Sequence, residues 1–193
     1  MPEPFFAPEE LVTDDFIVRC YLPGDGPALA EACNASYEHL KTYMDWAKPH
    51  TEDNESESLA RRFRGQYLLS NDFVLGIWAP DNQRLLGGSG FHLRNAPLED
   101  QAAEIGMWIR ADAAGQGLGT RVLRALLGWG FSAWPWERLA WRCDARNIAS
   151  RRTAEKAGMQ YEGCLRGEIP LSDGTRRDTL CFAVLRDEWT NQR

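Results

Sequence analysis

The segment from Gly115 to Thr120 (Gly-Gln-Gly-Leu-Gly-Thr) is the part of the sequence best suited to bind an anion. It follows an apolar, strand-like run (Ile105 to Ile109) and precedes an amphipathic run (Arg121 to Trp134) with helical spacing. A glycine turn that opens a helix gathers backbone N–H groups at the positive end of the helix dipole. The sequence therefore predicts a phosphate or diphosphate site on the backbone N–H groups of Gln116, Gly117, Leu118, Gly119 and Thr120.

A second polar segment, Asn147-Ile148-Ala149-Ser150, leads into a predicted helix that ends at Gly158. Taken alone it is an ordinary helix start, because asparagine is among the residues that best cap helix N-termini. The glycine turn upstream changes that interpretation, since two polar helix starts in this order favour a shared binding role.

Two other phosphate-binding motifs do not fit the glycine turn. It reads G-x-G-x-G and lacks the third glycine of a dinucleotide fingerprint at the required offset. The acidic residue expected about 20 positions later is also poorly placed, since Trp134-Pro135-Trp136 intervenes before Glu137. A Walker loop is excluded because no Gly-Lys-Ser/Thr follows the glycines.

Composition bounds the class of protein. With 193 residues, 44% hydrophobic and 26% charged, the chain is expected to form a single globular domain over residues 1–193. A net charge of -6 argues against general nucleic-acid binding. The amino terminus lacks the layout of a signal peptide, and no apolar run has the length of a membrane span, so no membrane partner is expected.

The metal-ligating and redox-active residues give no metal motif. The three histidines are far apart and show no zinc-binding spacing, so no metal is predicted. An odd number of scattered cysteines without C-x-x-C spacing indicates a reduced, cytoplasmic protein. These cysteines are Cys20, Cys33, Cys143, Cys164 and Cys181.

The elements that must position these residues follow from periodicity and turn residues. The predicted strands cover residues 16–22, 72–79, 85–93, 103–110, 138–144, 160–166 and 179–186. The predicted helices cover residues 27–37, 38–46, 54–69, 116–134 and 147–157, and Asn54 to Glu57 has the form of a capping box. The alternating strands and helices over residues 103–166 indicate an α/β protein with a mixed sheet.

In this order and at these spacings, the segments resemble the GCN5-related N-acetyltransferase (GNAT) family. They look most like its Rim-type branch (RimJ/RimL-like), the ribosomal-protein N-terminal acetyltransferases. The resemblance spans nearly the whole chain and implies the GNAT fold. That fold is a mixed, mostly antiparallel, seven-stranded α/β (α+β) arrangement with splayed central strands and helices on both faces. The residues that carry the resemblance are Ala103 to Ile109, Gly115 to Thr120, Asn147, Ser150, Glu155 to Met159, Glu162-Gly163 and Asp187-Glu188-Trp189.

This resemblance implies acetyl-coenzyme A (acetyl-CoA) as the cofactor, with its diphosphate on the glycine turn. The pantetheine arm would pair with backbone groups of the splayed strand, Asn147 would hold a pantetheine amide, and Ser150 would approach the thioester sulfur. Ala114 departs from the Gln or Arg of the family pattern, which removes one side-chain contact and leaves the backbone cradle. The further cofactor contacts that the resemblance implies are Met107, Trp108 and Ile109, with Arg152 near the ribose phosphate.

The resemblance also implies direct transfer of acetyl to a primary amine in a ternary complex. Many relatives use a tyrosine acid seven residues after the asparagine; Ala154 stands there, so Ser150 is expected to protonate the leaving sulfur. Two carboxylates compete for the base. Glu168, where Rim-type enzymes place a catalytic glutamate, is slightly favoured over Glu104. A ping-pong route through Cys143 is not favoured, because nothing nearby in sequence would lower its pKa.

The acceptor is expected to be a protein N-terminal α-amine or a small-molecule amine, and a homodimer is plausible. Trp46, before a proline-containing loop, is either a wall of the acceptor site or a partly buried core residue. Two alternatives stay open: a catalytically silent CoA-binding sensor or scaffold, and an acetyltransferase that detoxifies an antibiotic.

Overall fold

The computed structural model describes residues 5–94, 96–171 and 174–191. They divide into two compact units: Met1–His92 with Met107–Ala113, and Leu93–Gly106 with Ala114–Arg193. The described residues contain eight strands, one more than predicted. The additional strand is the three-residue Glu10–Val12, which is too short to show a sequence period.

The first unit is built on four antiparallel strands, which pair in the order β1 (Glu10–Val12), β2 (Ile17–Cys20), β3 (Phe73–Trp78) and β4 (Leu85–His92). β2 is buried along its whole length, and its residues pair with those of β3 from Ile17↔Trp78 to Cys20↔Leu75. Side chains from the strands and both helices form one core cluster that includes Tyr21, Leu29 and Ala60. The other elements are α1 (Gly26–Leu40), α2 (Asp53–Leu68) and the end of β5 (Ala102–Ile109).

Glu57 on α2 fixes the start of α1. Its carboxylate accepts hydrogen bonds from the backbone N–H of Gly24 at 3.0 Å and of Gly26 at 3.1 Å. A Cβ on Gly26 would lie 2.5 Å from the Glu57 backbone, so position 26 requires glycine. The capping-box prediction is therefore wrong: α2 begins at Asp53, and its glutamate serves the neighbouring helix. The predicted second helix over residues 38–46 is also wrong, because α1 continues to Leu40 and turns follow.

The second unit has the strand order β5-β6-β8-β7. β5 and β6 are parallel, while β6–β8 and β8–β7 are antiparallel, so the mixed, mostly antiparallel α/β class is confirmed. No helix in the described residues combines the length and apolar character that crossing a membrane requires. The elements are the start of β5, α3 (Leu118–Ala133), β6 (Arg138–Asp144), α4 (Ile148–Ala157), β7 (Gln160–Pro170), β8 (Arg176–Leu185) and α5 (Arg186–Asn191).

Helix α3 follows the glycine turn. Buried apolar side chains hold one side of this helix, and an arginine holds its C-terminal end. Val122, Leu123, Leu126 and Leu127 are fully buried, as the helical spacing predicts. At its C-terminal end the Arg186 guanidinium donates to the carbonyl oxygens of Phe131, Trp134 and Trp136. Carbonyls at the end of a helix lack intrahelical partners, so this cation stabilises the end of α3.

Candidate active site

The glycine turn places the N-terminus of α3 at the protein surface. Gly117 is the N-cap residue with φ +78°, and Gly115 has φ +75°, a left-handed conformation that favours glycine. Within the described residues no side chain caps the first amides of α3. A Cβ on Gly117 would meet only the Arg121 guanidinium at 3.6 Å, so the surface beside the turn is open. Uncapped amides beside an open surface fit the predicted diphosphate site.

The start of α4 has the geometry of a capped helix. The Asn147 Oδ1 atom accepts a hydrogen bond from the Ser150 backbone N–H at 3.0 Å. Asn147 is therefore an N-cap, while its amide N–H₂ group takes no part in the cap and its contact with a cofactor stays a prediction. This cap holds Ser150 in the first turn of α4, with its side chain partly buried.

Two residues of β6 lie beside the Ser150 hydroxyl. The Trp141 indole Nε1–H donates a hydrogen bond to Ser150 Oγ at 3.1 Å, and Trp141 itself is buried. The hydroxyl also lowers the pKa of Cys143, but burial raises that pKa more, and the net shift is upward. A buried thiol with a raised pKa is a poor nucleophile, which argues against a ping-pong route through Cys143.

The parallel pairing of β5 with β6 is short. Its register joins Ala102 to Arg138, Ala103 to Leu139 and Glu104 to Ala140, whereas β5 runs on to Ile109 and β6 to Asp144. Glu104↔Ala140 is the last pair that this register gives, and all three pairs lie within the second unit. The splayed strands of the GNAT pattern stay a prediction.

The carboxylate of Glu168 is paired with an arginine. Arg142 on β6 donates to its Oε1 atom, and the pair is about three-quarters buried, with each side chain 26% exposed. The Thr179 hydroxyl and the Arg142 guanidinium hold the pKa of Glu168 below its usual value. Glu168 is therefore ionised at neutral pH and is a weaker base than a free carboxylate.

Glu104 has a different environment. Its side chain is only 8% exposed, and its Oε1 atom accepts a hydrogen bond from Arg94 at 2.8 Å. The Arg94 side chain is 58% exposed, so water screens this ion pair more than the pair of Arg142 and Glu168. Arg142 also interacts electrostatically with Glu104, which places both predicted carboxylates near one guanidinium.

In the first unit the structure brings together Trp108 and Trp46. The Trp108 ring lies over β4, where a Cβ on Gly88 would approach its Nε1 atom to 2.4 Å. The Trp46 ring contacts it edge to face, with centroids 5.9 Å apart, and Trp46 is 49% exposed. Half-exposed aromatic surface fits the predicted acceptor wall better than a core position.

The end of β5 is fixed within the same unit. Arg110 is buried, and its guanidinium donates to both carboxylate oxygens of Glu31 on α1 at 2.7 and 2.8 Å and to Asp112 at 2.8 Å. This network holds the three partly exposed residues Met107, Trp108 and Ile109, the predicted pantetheine contacts, in an extended strand.

Several site residues could not be read from the sequence. Trp141 had no sequence signal that linked it to Ser150, and the partners Arg94 and Arg142 had none because they lie 10 and 26 residues from their glutamates. On α4, Arg151 pairs with Glu155 at 2.8 Å as ordinary helix decoration. Arg152 is exposed on the same helix, and its cofactor role stays a prediction.

Comparison with known proteins defines the class. A family profile described as "Acetyltransferase (GNAT) domain" matches residues 16–160, so the chain belongs to this acetyltransferase family. The family prediction is confirmed, and with it the class of enzyme.

The relatives are acetyltransferases as well. Over 183 residues the chain is 26% identical to the Bacillus subtilis (strain 168) protein "Putative ribosomal N-acetyltransferase YdaF", covering 94% of this chain and 97% of that protein. RimL, a ribosomal L7/L12 α-N-protein acetyltransferase solved with coenzyme A, has a TM-score of 0.81 at 22% identity, covering 92% and 98% of the two chains. The microcin C7 self-immunity acetyltransferase MccE, solved with acetyl-CoA and AMP, has a TM-score of 0.80 at 19% identity, covering 93% and 98%. These two likenesses confirm the GNAT fold.

Proposed function

We propose that this protein transfers the acetyl group of acetyl-CoA directly to a primary amine, in a ternary complex and without a covalent enzyme intermediate. The observation that carries the proposal is the Ser150 hydroxyl, which the Trp141 indole and the Asn147 cap hold at the start of α4. This hydroxyl is a neutral O–H donor suited to a leaving sulfur, and Glu104 and Glu168 are the carboxylates proposed to act on the amine.

The cofactor assignments follow the GNAT pattern. The diphosphate would bind the amides of Gln116, Gly117, Leu118, Gly119 and Thr120, and the pantetheine arm would pair with Met107, Trp108 and Ile109. Asn147 would contact a pantetheine amide through its N–H₂ group, and Arg152 would contact the ribose phosphate. When bound, acetyl-CoA supplies the activated acetyl group; the chain orients it and handles the protons.

Ser150 is the proposed acid. Attack of the amine forms a C–N bond, the C–S bond then breaks, and its electron pair goes to sulfur, which receives the Ser150 proton. Solvent reprotonates the serine oxygen, and the proton lost by the amine leaves through a base. The products are an amide and a free thiol.

For the base we assign Glu104, acting through water, and this reverses the order favoured from the sequence. The Thr179 hydroxyl and the Arg142 guanidinium lower the pKa of Glu168 and so weaken it as a proton acceptor. A carboxylate that stays ionised is better suited to attract the ammonium form of the incoming amine, and we assign that role to Glu168.

The acceptor we propose is the α-amine of a protein N-terminus. The support is the ribosomal acetyltransferase names of YdaF and RimL, together with the half-exposed Trp46 as a wall for the first residues of the chain. All five cysteines are free, which fits action in the cytoplasm. We further propose one functional domain over residues 1–193 and a homodimeric assembly.

A panel of peptides with free N-termini, incubated with acetyl-CoA and scored by thiol release, tests the function. Transfer should fall about 100-fold in Ser150→Ala while CoA binding, measured by calorimetry, stays unchanged. Ser58→Ala is the matched control, because its hydroxyl also lies on a helix but donates to the Asn54 carbonyl at 2.9 Å. Tight CoA binding without transfer to any amine would favour a silent sensor.

A second candidate is detoxification of an aminoacyl-nucleotide or aminoglycoside antibiotic. The TM-score of 0.80 to MccE, an immunity acetyltransferase solved with AMP, is the observation that favours it. Expression of the chain in a sensitive strain, followed by measurement of the inhibitory concentration, separates this candidate from a peptide acetyltransferase.

A further inference from the structure

Ser150 differs from three other helix hydroxyls of this protein, Ser58, Thr153 and Thr190, in how its hydrogen is used. Ser58, Thr153 and Thr190 each donate to the backbone carbonyl four residues earlier, all at 2.9 Å. Such a bond commits the hydroxyl hydrogen to the helix. Ser150 instead accepts a hydrogen bond from an indole on a neighbouring strand.

An indole nitrogen can only donate, so the Trp141 contact must occupy a lone pair of Ser150 Oγ. The hydroxyl hydrogen then points away from the indole and is available to an acceptor elsewhere. Two further constraints fix the group: Trp141 is buried in β6, and the Asn147 cap holds the Ser150 backbone. The oxygen is thereby anchored while its hydrogen stays usable.

We propose that Trp141 is a positioning residue that sets Ser150 as the proton donor to the leaving thiolate. The inference rests on the proposed function, since it deepens the role of Ser150 there. Trp141 touches no reacting atom; it acts through the serine. As the C–S bond breaks, the sulfur takes the electron pair and the Ser150 proton, and the indole N–H stabilises the oxygen that loses it.

The alternation of side chains along β6 supports this role for Trp141. Trp141 and Cys143 lie two residues apart on the same face of the strand; Trp141 donates to the Ser150 hydroxyl, and that hydroxyl lowers the pKa of the Cys143 thiol. Cys143 offers sulfur, a weak acceptor, to the hydroxyl hydrogen, so a charged thiolate can compete for that hydrogen readily.

A double-mutant cycle tests the proposal. Trp141→Phe should lower kcat about 10-fold and leave the KM for acetyl-CoA within 2-fold, because one hydrogen bond to the acid is lost. In a Ser150→Ala background the same substitution should cost nothing further. Trp78→Phe is the matched control: this indole is also buried in a strand, and its Nε1 atom has no hydrogen-bond partner in the described residues, so kcat should stay unchanged.

A second variant guards against a folding defect in Trp141→Phe. A tryptophan isostere with sulfur in place of the indole N–H, incorporated at position 141, keeps the ring shape and should give the same 10-fold loss. If Trp141→Phe lowered kcat equally in the wild-type and Ser150→Ala backgrounds, or if the isostere were fully active, the positioning role of Trp141 would be overturned. The acid role of Ser150 would not be affected by either result. Wild-type activity in Ser150→Ala would instead overturn the acid assignment under the proposed function.

Discussion

The two faces of β6 carry different chemistry. The face that contacts α4 presents neutral groups, Trp141 and Cys143, to the Ser150 hydroxyl. Because side chains alternate along a strand, Arg142 points to the opposite face, where it pairs with Glu168 and lies near Glu104. One face therefore has hydroxyl, indole and thiol groups, and the other has paired charges.

This difference matches the two halves of an acyl transfer. The leaving sulfur needs a proton donor, and a neutral hydroxyl fixed by one hydrogen bond provides it without the cost of burying a charge. The incoming amine is a cation in water, so carboxylates on its side of the sheet attract it and remove its proton. The comparison thus assigns the sulfur to the α4 face and the amine to the charged face.

Substitution of each carboxylate by an amide should have the largest effect on the kinetics. The two variants separate the role of Glu104 from that of Glu168. We expect Glu104→Gln to lower kcat about 100-fold through loss of the base. Glu168→Gln should raise the KM for the peptide about 10-fold with a smaller change in kcat, because a charged contact to the ammonium is lost. Steady-state kinetics with a varied peptide concentration measures both, and the opposite ranking would restore Glu168 as the base.

Substitution of the glycine turn tests the cofactor side. Gly117→Ala forces a left-handed residue to carry a Cβ, at a cost of about 1 kcal/mol, and places a methyl group beside the diphosphate. We expect the Kd for CoA to rise about 10-fold by calorimetry. Gly24→Ala is the control, since Gly24 also has positive φ and open space around its Cβ position. An unchanged Kd in Gly117→Ala would remove the turn from the cofactor site.

Removal of the Arg142 guanidinium tests the charged face through the free energy of unfolding. This is the smallest of the expected effects. In Arg142→Gln the pKa of Glu168 should rise, and the free energy of unfolding should fall by about 1 kcal/mol at pH 7. A depressed pKa stabilises the fold above the unfolded-state value, and this contribution disappears as the pH falls through the folded-state pKa. The deficit should therefore vanish in acid.

The control for this prediction is another arginine–glutamate pair. Arg138 and Glu162 are 39% and 42% exposed, so Arg138→Gln should cost about 0.5 kcal/mol or less. Urea unfolding at several pH values measures both variants. A deficit in Arg142→Gln that persists below the folded-state pKa of Glu168 would show that the arginine acts through packing.

Sequence reasoning succeeded where the signal is local and periodic. The pattern of α3 gave the helix to within two residues at its start and one at its end, and its predicted apolar face is buried. The Asn147 cap was readable because capping joins residues three apart. The glycine turn was also readable, because a left-handed backbone conformation favours glycine. Gly115 and Gly117 both have positive φ.

Contacts between elements distant in sequence could not be predicted in this way. Glu57 had the spacing of a capping box, yet its carboxylate binds amides 31 and 33 residues earlier. The partner of Glu168 lies on another strand, so its lowered pKa had no sequence signal. A buried tryptophan N–H usually finds a hydrogen-bond partner, which was the one hint that Trp141 does more than fill the core.

A crystal structure of the protein with coenzyme A tests the central claim most directly. The account predicts the diphosphate on the amides that open α3 and the CoA sulfur within hydrogen-bond distance of Ser150 Oγ, on the face of β6 that carries Trp141. A sulfur found instead on the opposite face, against Arg142 and Glu168, would contradict it.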